Sequence, residues 1–525
     1  RWLAQHSVTR VGPLGRQEVV PVERMQVVGI SHRTSRAGDP HRHIHMQIGT
    51  RVWAAGRWRA LDTGALFKQQ GTIRALGTAI LAAHPQLADA LDQHGLTLDP
   101  VTGEVVELEP FNALMSKRGT QVRRNLERLE AEWEAAHPDE TMGPVVASRL
   151  TAQAWAHERP AKKLTTLREE AAWLTELREA GYDPDRLARA PKPRIVSLDA
   201  LSVEKIASRA LDRCASEAST WTRHTVQEHA ARLVTEYGVR TAPAGLAQFT
   251  ELATRLALGD CFSVLPPGAP APEHVAHLAT VRVVEAETAL RDLLTQQAPK
   301  TQVPHPSVEA HARALGLGLD GGQLDSAAAV ASVDPLVIVE GAAGSGKTTM
   351  LLAATHAAEH AGRATRLVAP TRKAALVAAE KLGVAAESAA ALAHAHGYRW
   401  NRDGVWTRLR PGDTDPETGN IYAEPPEAAR LEVGTRLVVD EAGMLDQDTA
   451  IALLTICAES GASVALVGDR AQLAAVGRGG VLDAAAQVRG RIHDMVEVHR
   501  FTDPAYGALT VRMRDGDAPG DIYDR

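Results

Sequence analysis

The chain has 525 residues, 44% hydrophobic and 23% charged, which excludes a disordered polymer and fits about three soluble domains. Its net charge of −6 excludes nucleic-acid binding by overall charge, so any such contact must come from local basic patches. Cys214, Cys261 and Cys457 lie far apart and match neither a zinc spacing nor a disulfide framework. No apolar run reaches membrane-spanning length, so a cytoplasmic protein without membrane insertion is expected.

In chain order, VVGISH and HIHMQIGTRVW read as strands and GALFKQQGTIRALGTAILAAH as a helix. LTLDPVTGEVVELE reads as a hairpin, and residues 117–134 as a basic, charged helix. On a strand, His43 and His45 share one face, with Ile44 and Met46 on the other. His32 ends the preceding run, and the loop RTSRAGDPHR can bring the two strands side by side. Three neutral imidazoles on one face would make a facial metal site able to polarise a phosphate oxygen. The spacing alone leaves the alternative open, because 21 histidines make a chance His-x-His common. His41 falls outside the arrangement and is expected to be exposed. Lys117, Arg118, Arg123 and Arg124 form a local basic cluster that either meets DNA phosphates or keeps a helix soluble. Trp53 and Trp58 could stack on bases or pack in a core.

The middle of the chain reads as mostly helical. Leu164, Leu167, Ala171, Leu174 and Leu177 fall on one helical face, with Gly181 as a stop. LPPGAPAP is a rigid loop and QQAPKTQVPHPS a linker, and there is no fixed-period repeat.

From about residue 307, apolar runs (LVIVE, ATRLVAP, RLVVDEA, SVALVGD) alternate with alanine-rich helical segments, the pattern of a parallel α/β sheet. Residues 341–348, GAAGSGKT, sit between such a strand and a helix, as a phosphate-binding loop requires. Gly341, Gly344, Ser345 and Gly346 let backbone N–H groups surround phosphates, and the helix N-terminus adds partial positive charge. Lys347 is placed for the β- and γ-phosphates, and Thr348, followed by Thr349, for Mg²⁺. Asp440 and Glu441 end a buried-strand run. Asp440 suits a Mg²⁺ partner and Glu441 a group that orients or deprotonates the attacking water, which makes ATP the expected ligand. Two incidental surface acids are the plain alternative, and the phosphate loop weighs against it. Asp469 and Gln472 follow another buried strand, where an amide can sense the γ-phosphate or simply serve a turn.

GAAGSGKT, APTRKAA, VVDEAGM and GDRAQLAAVGRGG together resemble successive motifs of RecD-like superfamily-one DNA helicases. The resemblance implies an adenine-reading role for Gln323 and contact with single-stranded DNA at Pro370, Thr371, Arg372 and Lys373. It also implies a γ-phosphate contact from Arg500 in VEVHRFTDPAY. Such helicases use two RecA-like lobes, and only about 25 residues follow Arg500, so one lobe and poor motor activity are expected.

SHRTSRAGDPHRHIHMQIGTRVW, GRWRALDTGALFKQQ and SKRGTQVRRNLERLEAEW resemble the His-hydrophobic-His region of conjugative relaxases of the MobF (TrwC/TraA-like) type. STWTRHTVQEHAARL and ATVRVVEAETALRDLL resemble the segment preceding the helicase in that family. Members nick one strand at a plasmid transfer origin through a tyrosine and unwind it with a C-terminal helicase. The resemblance makes His32, His43 and His45 ligands of a divalent ion such as Mg²⁺ or Mn²⁺. It implies single-stranded and origin DNA, and other relaxosome proteins, as partners. The family's tyrosines lie ahead of the histidines, whereas the first tyrosine here is Tyr182, in a helix-ending turn, so the nicking domain is expected to be its C-terminal part only.

The expected architecture is multidomain α/β. A partial α+β relaxase domain (1–138) precedes a mainly helical connection (139–306) and a RecA-like lobe with the phosphate loop (307–525). The rival functions are a RecD-like repair helicase without nicking activity and an ATP-dependent DNA-binding scaffold.

Overall fold

A computed structural model describes residues 2–14, 16–136, 144–157, 167–186, 188–299, 305–472, 475, 477–499, 504–514 and 516. The chain divides into two units. The first comprises Arg1–Ser208, Thr222–Leu258 and Gly268–Ala276; the second comprises Arg209–Trp221, Gly259–Pro267 and His277–Arg525. The helical middle is therefore shared between the units.

In the first unit, β1 (Val8–Val11) pairs antiparallel with β2 (Glu18–Pro21). β3 (Arg24–Thr34), β4 (Pro40–Ala54) and β5 (Arg57–Ala60) form an antiparallel meander. The tight β4–β5 turn places Ala55 and Gly56 at φ 47° and 74°, the left-handed pair that suits a right-twisted two-residue hairpin. Across it Trp53 faces Trp58 edge to face with centroids 5.8 Å apart, so the two rings pack on one another. Val52 packs with Val22 and Leu61 in a small core at the base of the β3–β4 hairpin, where Ala54 is also buried. Farther out, Val27, Val28, Ile30, Ile44 and Met46 are exposed.

The helix expected after β5 is two helices, Thr63–Lys68 and Gln70–Ala82. They meet at Gln69, whose buried amide donates to the carbonyl of His6. The predicted hairpin LTLDPVTGEVVELE is a single bridge, Leu98 to Val105, followed by the 3-10 helix Val106–Phe111. The carboxylate of Glu107 accepts from the N–H groups of Thr97 and Ala190, so a side chain takes the place of ladder partners. The basic helix is present as Lys117–Ala136. The later stripe forms helix Leu167–Glu179, with Leu164 outside the described residues. Ala171 and Leu174 are exposed, and the face carrying Trp173 and Leu177 is the half-buried one, because the Trp173 indole N–H donates to the carbonyl of Gly38. The helix does stop at Gly181 (φ 93°), where the Tyr182 N–H donates to the Leu177 carbonyl.

The second unit carries two short antiparallel pairs, β6 (Phe262–Ser263) with β7 (Leu278–Ala279) and β11 (Tyr398–Trp400) with β12 (Trp406–Arg408). Its main element is a six-stranded parallel sheet. The strands are β8 (Leu336–Gly341), β9 (Thr365–Ala369), β10 (Ala386–Ser388), β13 (Arg436–Val439), β14 (Ser463–Gly468) and β15 (His493–Met495). The spatial order is β10-β9-β13-β14-β8-β15, with every pair parallel. Leu336, Ile338, Leu437, Val439, Val464 and Leu466 enter the core on one face; Val337, Val339, Val438, Ala465 and Val467 enter the other. Burial on both faces explains why these strands read as continuous apolar runs.

Candidate metal centre and nucleotide site

The β3–β4 register sets His32 opposite His43 and Ile30 opposite His45. The period of two then puts the three imidazoles on one face. Their centroids are 5.3 Å (His32–His43), 4.6 Å (His32–His45) and 4.9 Å (His43–His45) apart, and one nitrogen from each lies within 4.8 Å of the others. The Nδ1–H of His43 donates to the carbonyl oxygen of His41 at 2.8 Å, which leaves its Nε2 as a lone-pair donor. That Nε2 is 3.0 Å from Nε2 of His45. Two nitrogens each about 2.1 Å from an ion and at right angles around it are roughly 3 Å apart, so the donor set fits a divalent cation. His41 is exposed, as expected, but its ring lies 4.5 Å from that of His43 and borders the same cavity.

That cavity, about 470 Å³, is lined by the histidines together with Thr34, Ser35, Arg36, Arg118 and Trp155. Buried Asp39 accepts from Ser35 Oγ and from the backbone N–H groups of Lys117 and Arg118, so one carboxylate joins the hairpin loop to the N-terminus of helix Lys117–Ala136. Arg118, counted in sequence among surface DNA contacts, is buried: its guanidinium donates to the Trp155 carbonyl and Gln121 and lies over the Trp155 ring. Lys117 is half-exposed and ion-paired with Glu176 at 2.6 Å. The sequence around Arg118 carries no signal that this arginine would border the histidines; that follows from the Asp39 cap.

In the second unit, β8 runs into the phosphate loop, and helix Lys347–His360 leaves it. Gly344 and Gly346 hold φ 87° and 81°. At φ 81° a side chain on Gly346 would be strained, and its Cβ would come within 2.3 Å of Gln323 Nε2. Lys347 Nζ donates to the carbonyl of Gly341 at 2.9 Å, at the mouth of the loop. The hydroxyl of Ser345 is buried without a hydrogen-bond partner. Backbone donors at a helix start, an ammonium and an orphaned hydroxyl together fit a polyphosphate. Thr348 and Thr349 are half-buried in the first turn of that helix. Gln323, expected to read adenine, is buried in a capping box with Asp320, and its Nε2 donates to the Ser345 carbonyl at 2.9 Å. In this state it braces the loop.

Asp440 follows β13 beside the loop. Burial first, and then the neighbouring Glu441 charge, push its carboxyl up to about 6. Glu441 has φ 53°, a strained conformation for a side-chain-bearing residue, at the position assigned to water activation. The next turn, Ala442–Met444, packs so closely on β14 that a Cβ on Gly443 would be 2.5 Å from the Asp469 carbonyl oxygen. Asp469 Oδ2 accepts from Gln472 Nε2 at 3.1 Å, and its Oδ1 accepts from Arg514 Nε at 3.1 Å. Arg514 also reaches Glu340, which pairs with Arg470 as well. Glu340 and Arg514 were missed in the sequence; a buried acid at the end of an apolar strand, next to the phosphate loop, was the available signal for the first. Thr371 caps helix Arg372–Leu382 through its hydroxyl, and Arg372 and Lys373 are exposed at the C-terminal end of β9. Arg500 lies outside the described residues. Among the described residues, no helix is long and apolar enough to cross a membrane.

Residues 1–180 match the TrwC relaxase family, and residues 318–525 match the AAA domain family. No curated protein matches the chain. Solved structures similar to it include TrwC complexed with a 27-mer DNA comprising the recognition hairpin and cleavage site (23% identity, 35% of this chain and 62% of that one, TM-score 0.26). Another is the metal-bound structure of the conjugative relaxase TrwC with oriT DNA (21% identity, 35% and 60%, TM-score 0.27). A third is the arterivirus nonstructural protein 10 helicase with DNA (24% identity, 37% and 44%, TM-score 0.21). The chain spans about 60% of the relaxase structures it matches. It carries, in this order, a TrwC-type relaxase region and an AAA-type nucleotide-binding domain.

Proposed function

We propose that the chain is the relaxase–helicase portion of a conjugative DNA-processing enzyme that engages transfer-origin DNA at the histidine cavity and ATP at the phosphate loop. The observation that carries this reading is the convergence of His32, His43 and His45 on one hairpin face of a chain that also holds a complete phosphate loop with its Asp440–Glu441 strand end.

His32, His43 and His45 would hold a divalent ion, Mg²⁺ or Mn²⁺, which supplies Lewis-acid polarisation of a backbone phosphate oxygen. His41 orients the His43 ring, and Asp39 holds the hairpin loop against the basic helix. In the second unit, Lys347 and the loop N–H groups bind the phosphates of ATP. Thr348 and Asp440 would hold Mg²⁺, which supplies charge neutralisation at the phosphates, and Glu441 would orient the attacking water. Gln472, tied to Asp469, would pass the nucleotide state to Thr371, Arg372 and Lys373, which would contact a single strand. The domain divisions 1–138, 139–306 and 307–525 remain part of this reading, as does the γ-phosphate role of Arg500.

The test is fluorescence anisotropy of a labelled transfer-origin oligonucleotide, with and without Mn²⁺. Mn²⁺ should tighten binding to the wild-type chain and leave His43→Ala/His45→Ala unaffected; equal Mn²⁺ dependence in both would remove the metal–phosphate reading.

A further inference from the structure

A second histidine trio lies in the nucleotide-binding unit, apart from the phosphate loop. His356 and His360 stand one turn apart near the C-terminal end of helix Lys347–His360, and His311 reaches them from helix Glu309–Ala314. The ring centroids are 5.3 Å (His311–His356), 5.2 Å (His311–His360) and 4.2 Å (His356–His360) apart, and one nitrogen from each lies within 4.8 Å of the others.

Three features point to a cation. Nδ1 of His311 and Nδ1 of His356 are 3.2 Å apart. Nitrogens each about 2.05 Å from a tetrahedral ion are about 3.3 Å apart, so the two need almost no movement to share one. The Nδ1–H of His360 donates to the His356 carbonyl at 3.0 Å, which fixes the tautomer and leaves Nε2 as its ligand atom. The cluster also sits at a helix C-terminus, where the partial negative charge of the last carbonyls favours a cation. His311 and His356 are half-buried and His360 is exposed, so an ion can enter and keep water in its remaining position.

We propose that His311, His356 and His360 form a binding site for a borderline-soft divalent ion of the Zn²⁺, Co²⁺ or Ni²⁺ class. Three neutral imidazoles with no carboxylate among them select such ions over Mg²⁺. His356 and His360 lie nine and thirteen residues along the helix from Lys347, roughly 14 to 20 Å at the helical rise, so their ion is not the nucleotide's. Its effect is to fasten helix Glu309–Ala314 to the far end of the phosphate-loop helix. The chain then continues from that fastened point to the helix Gly321–Val330, which carries Gln323.

The experiment is a Co²⁺ titration of the full chain, read by visible absorption and by calorimetric stoichiometry, in four versions. These are wild type, His43→Ala/His45→Ala, His356→Ala/His360→Ala, and His311→Ala. Each is first melted without metal to establish folding. The expected result is that His356→Ala/His360→Ala loses one equivalent that His43→Ala/His45→Ala retains, and that His311→Ala weakens the same equivalent. His311 sits on another helix, so this variant decides the matter if the double variant does not fold. Unchanged stoichiometry and affinity in the His356/His360 or the His311 variant overturns the proposal. The outcome is independent of DNA binding and of the β3–β4 hairpin.

Discussion

The two candidate sites are built in opposite ways. The nucleotide site rests on strand ends that are buried on both faces, with its functional groups at loops the sheet positions. The histidine site sits partway along a hairpin held at its base by a small core and at its loop by the Asp39 and Gly38 contacts, with apolar Ile30, Ile44 and Met46 exposed around it. One site is defined by backbone geometry, with Gly344 and Gly346 in the left-handed region; the other follows from strand register, with the Asp39 contacts holding its loop. A single-residue slip between β3 and β4 would turn His32 to the face opposite His43 and His45.

The largest effect that could break this contrast is at Lys347. Lys347→Ala should weaken ATP binding by about 3 kcal/mol, roughly 100-fold, because a charge-assisted contact to phosphate is lost. Calorimetry showing unchanged affinity would remove the nucleotide site from the comparison altogether.

One buried group in each unit couples stability to pH, and the two act in opposite directions. In the first, burial holds His224 down at about 4, and neither ring nitrogen has a hydrogen-bond partner. The unfolded chain therefore binds the extra proton between pH 6.5 and 4, and stability contributed at pH 7 falls by about 3 kcal/mol across that window. His224→Leu should flatten the slope in urea melts between pH 7 and 4; an unaltered slope would mean that the ring finds a partner. In the second unit, Asp440 is raised, so the folded state holds the proton between about pH 4 and 6 and stability falls as pH rises through that range. Asp440→Asn should raise stability at pH 7 by about 2 kcal/mol while abolishing Mg²⁺-dependent ATP hydrolysis. A variant that is less stable than wild type would show that the carboxylate is structurally required.

The smallest effect concerns Gln323. Its removal takes away both the capping contact and the brace on Ser345, so Gln323→Ala should cost about 1 kcal/mol of stability and weaken nucleotide binding modestly. Loss of discrimination between ATP and GTP without any change in melting would instead favour direct base reading.

How much could be read beforehand follows the same divide. The strands carrying Leu336, Leu437 and Val464 were legible because burial on both faces leaves an uninterrupted apolar run, and GAAGSGKT marks its own turn. His43 and His45 were legible because strand alternation is a local rule. The cavity partners were not: Asp39 capping Lys117 and Arg118 is a contact across 78 residues, with no periodic trace. VELE was misread as strand because it winds into a 3-10 turn whose Glu107 carboxylate accepts from the N–H groups of Thr97 and Ala190, contacts that alternation does not encode. His311, His356 and His360 were passed over because an i, i+4 pair on an alanine-rich helix becomes a trio only when a separate helix docks.

The most direct measurement is a calorimetric Mn²⁺ titration of the wild-type chain against His43→Ala/His45→Ala. The register-built site predicts that the variant loses one binding equivalent and keeps its ATP affinity. Identical isotherms would contradict the claim that this chain joins a metal-binding hairpin to a nucleotide-binding domain.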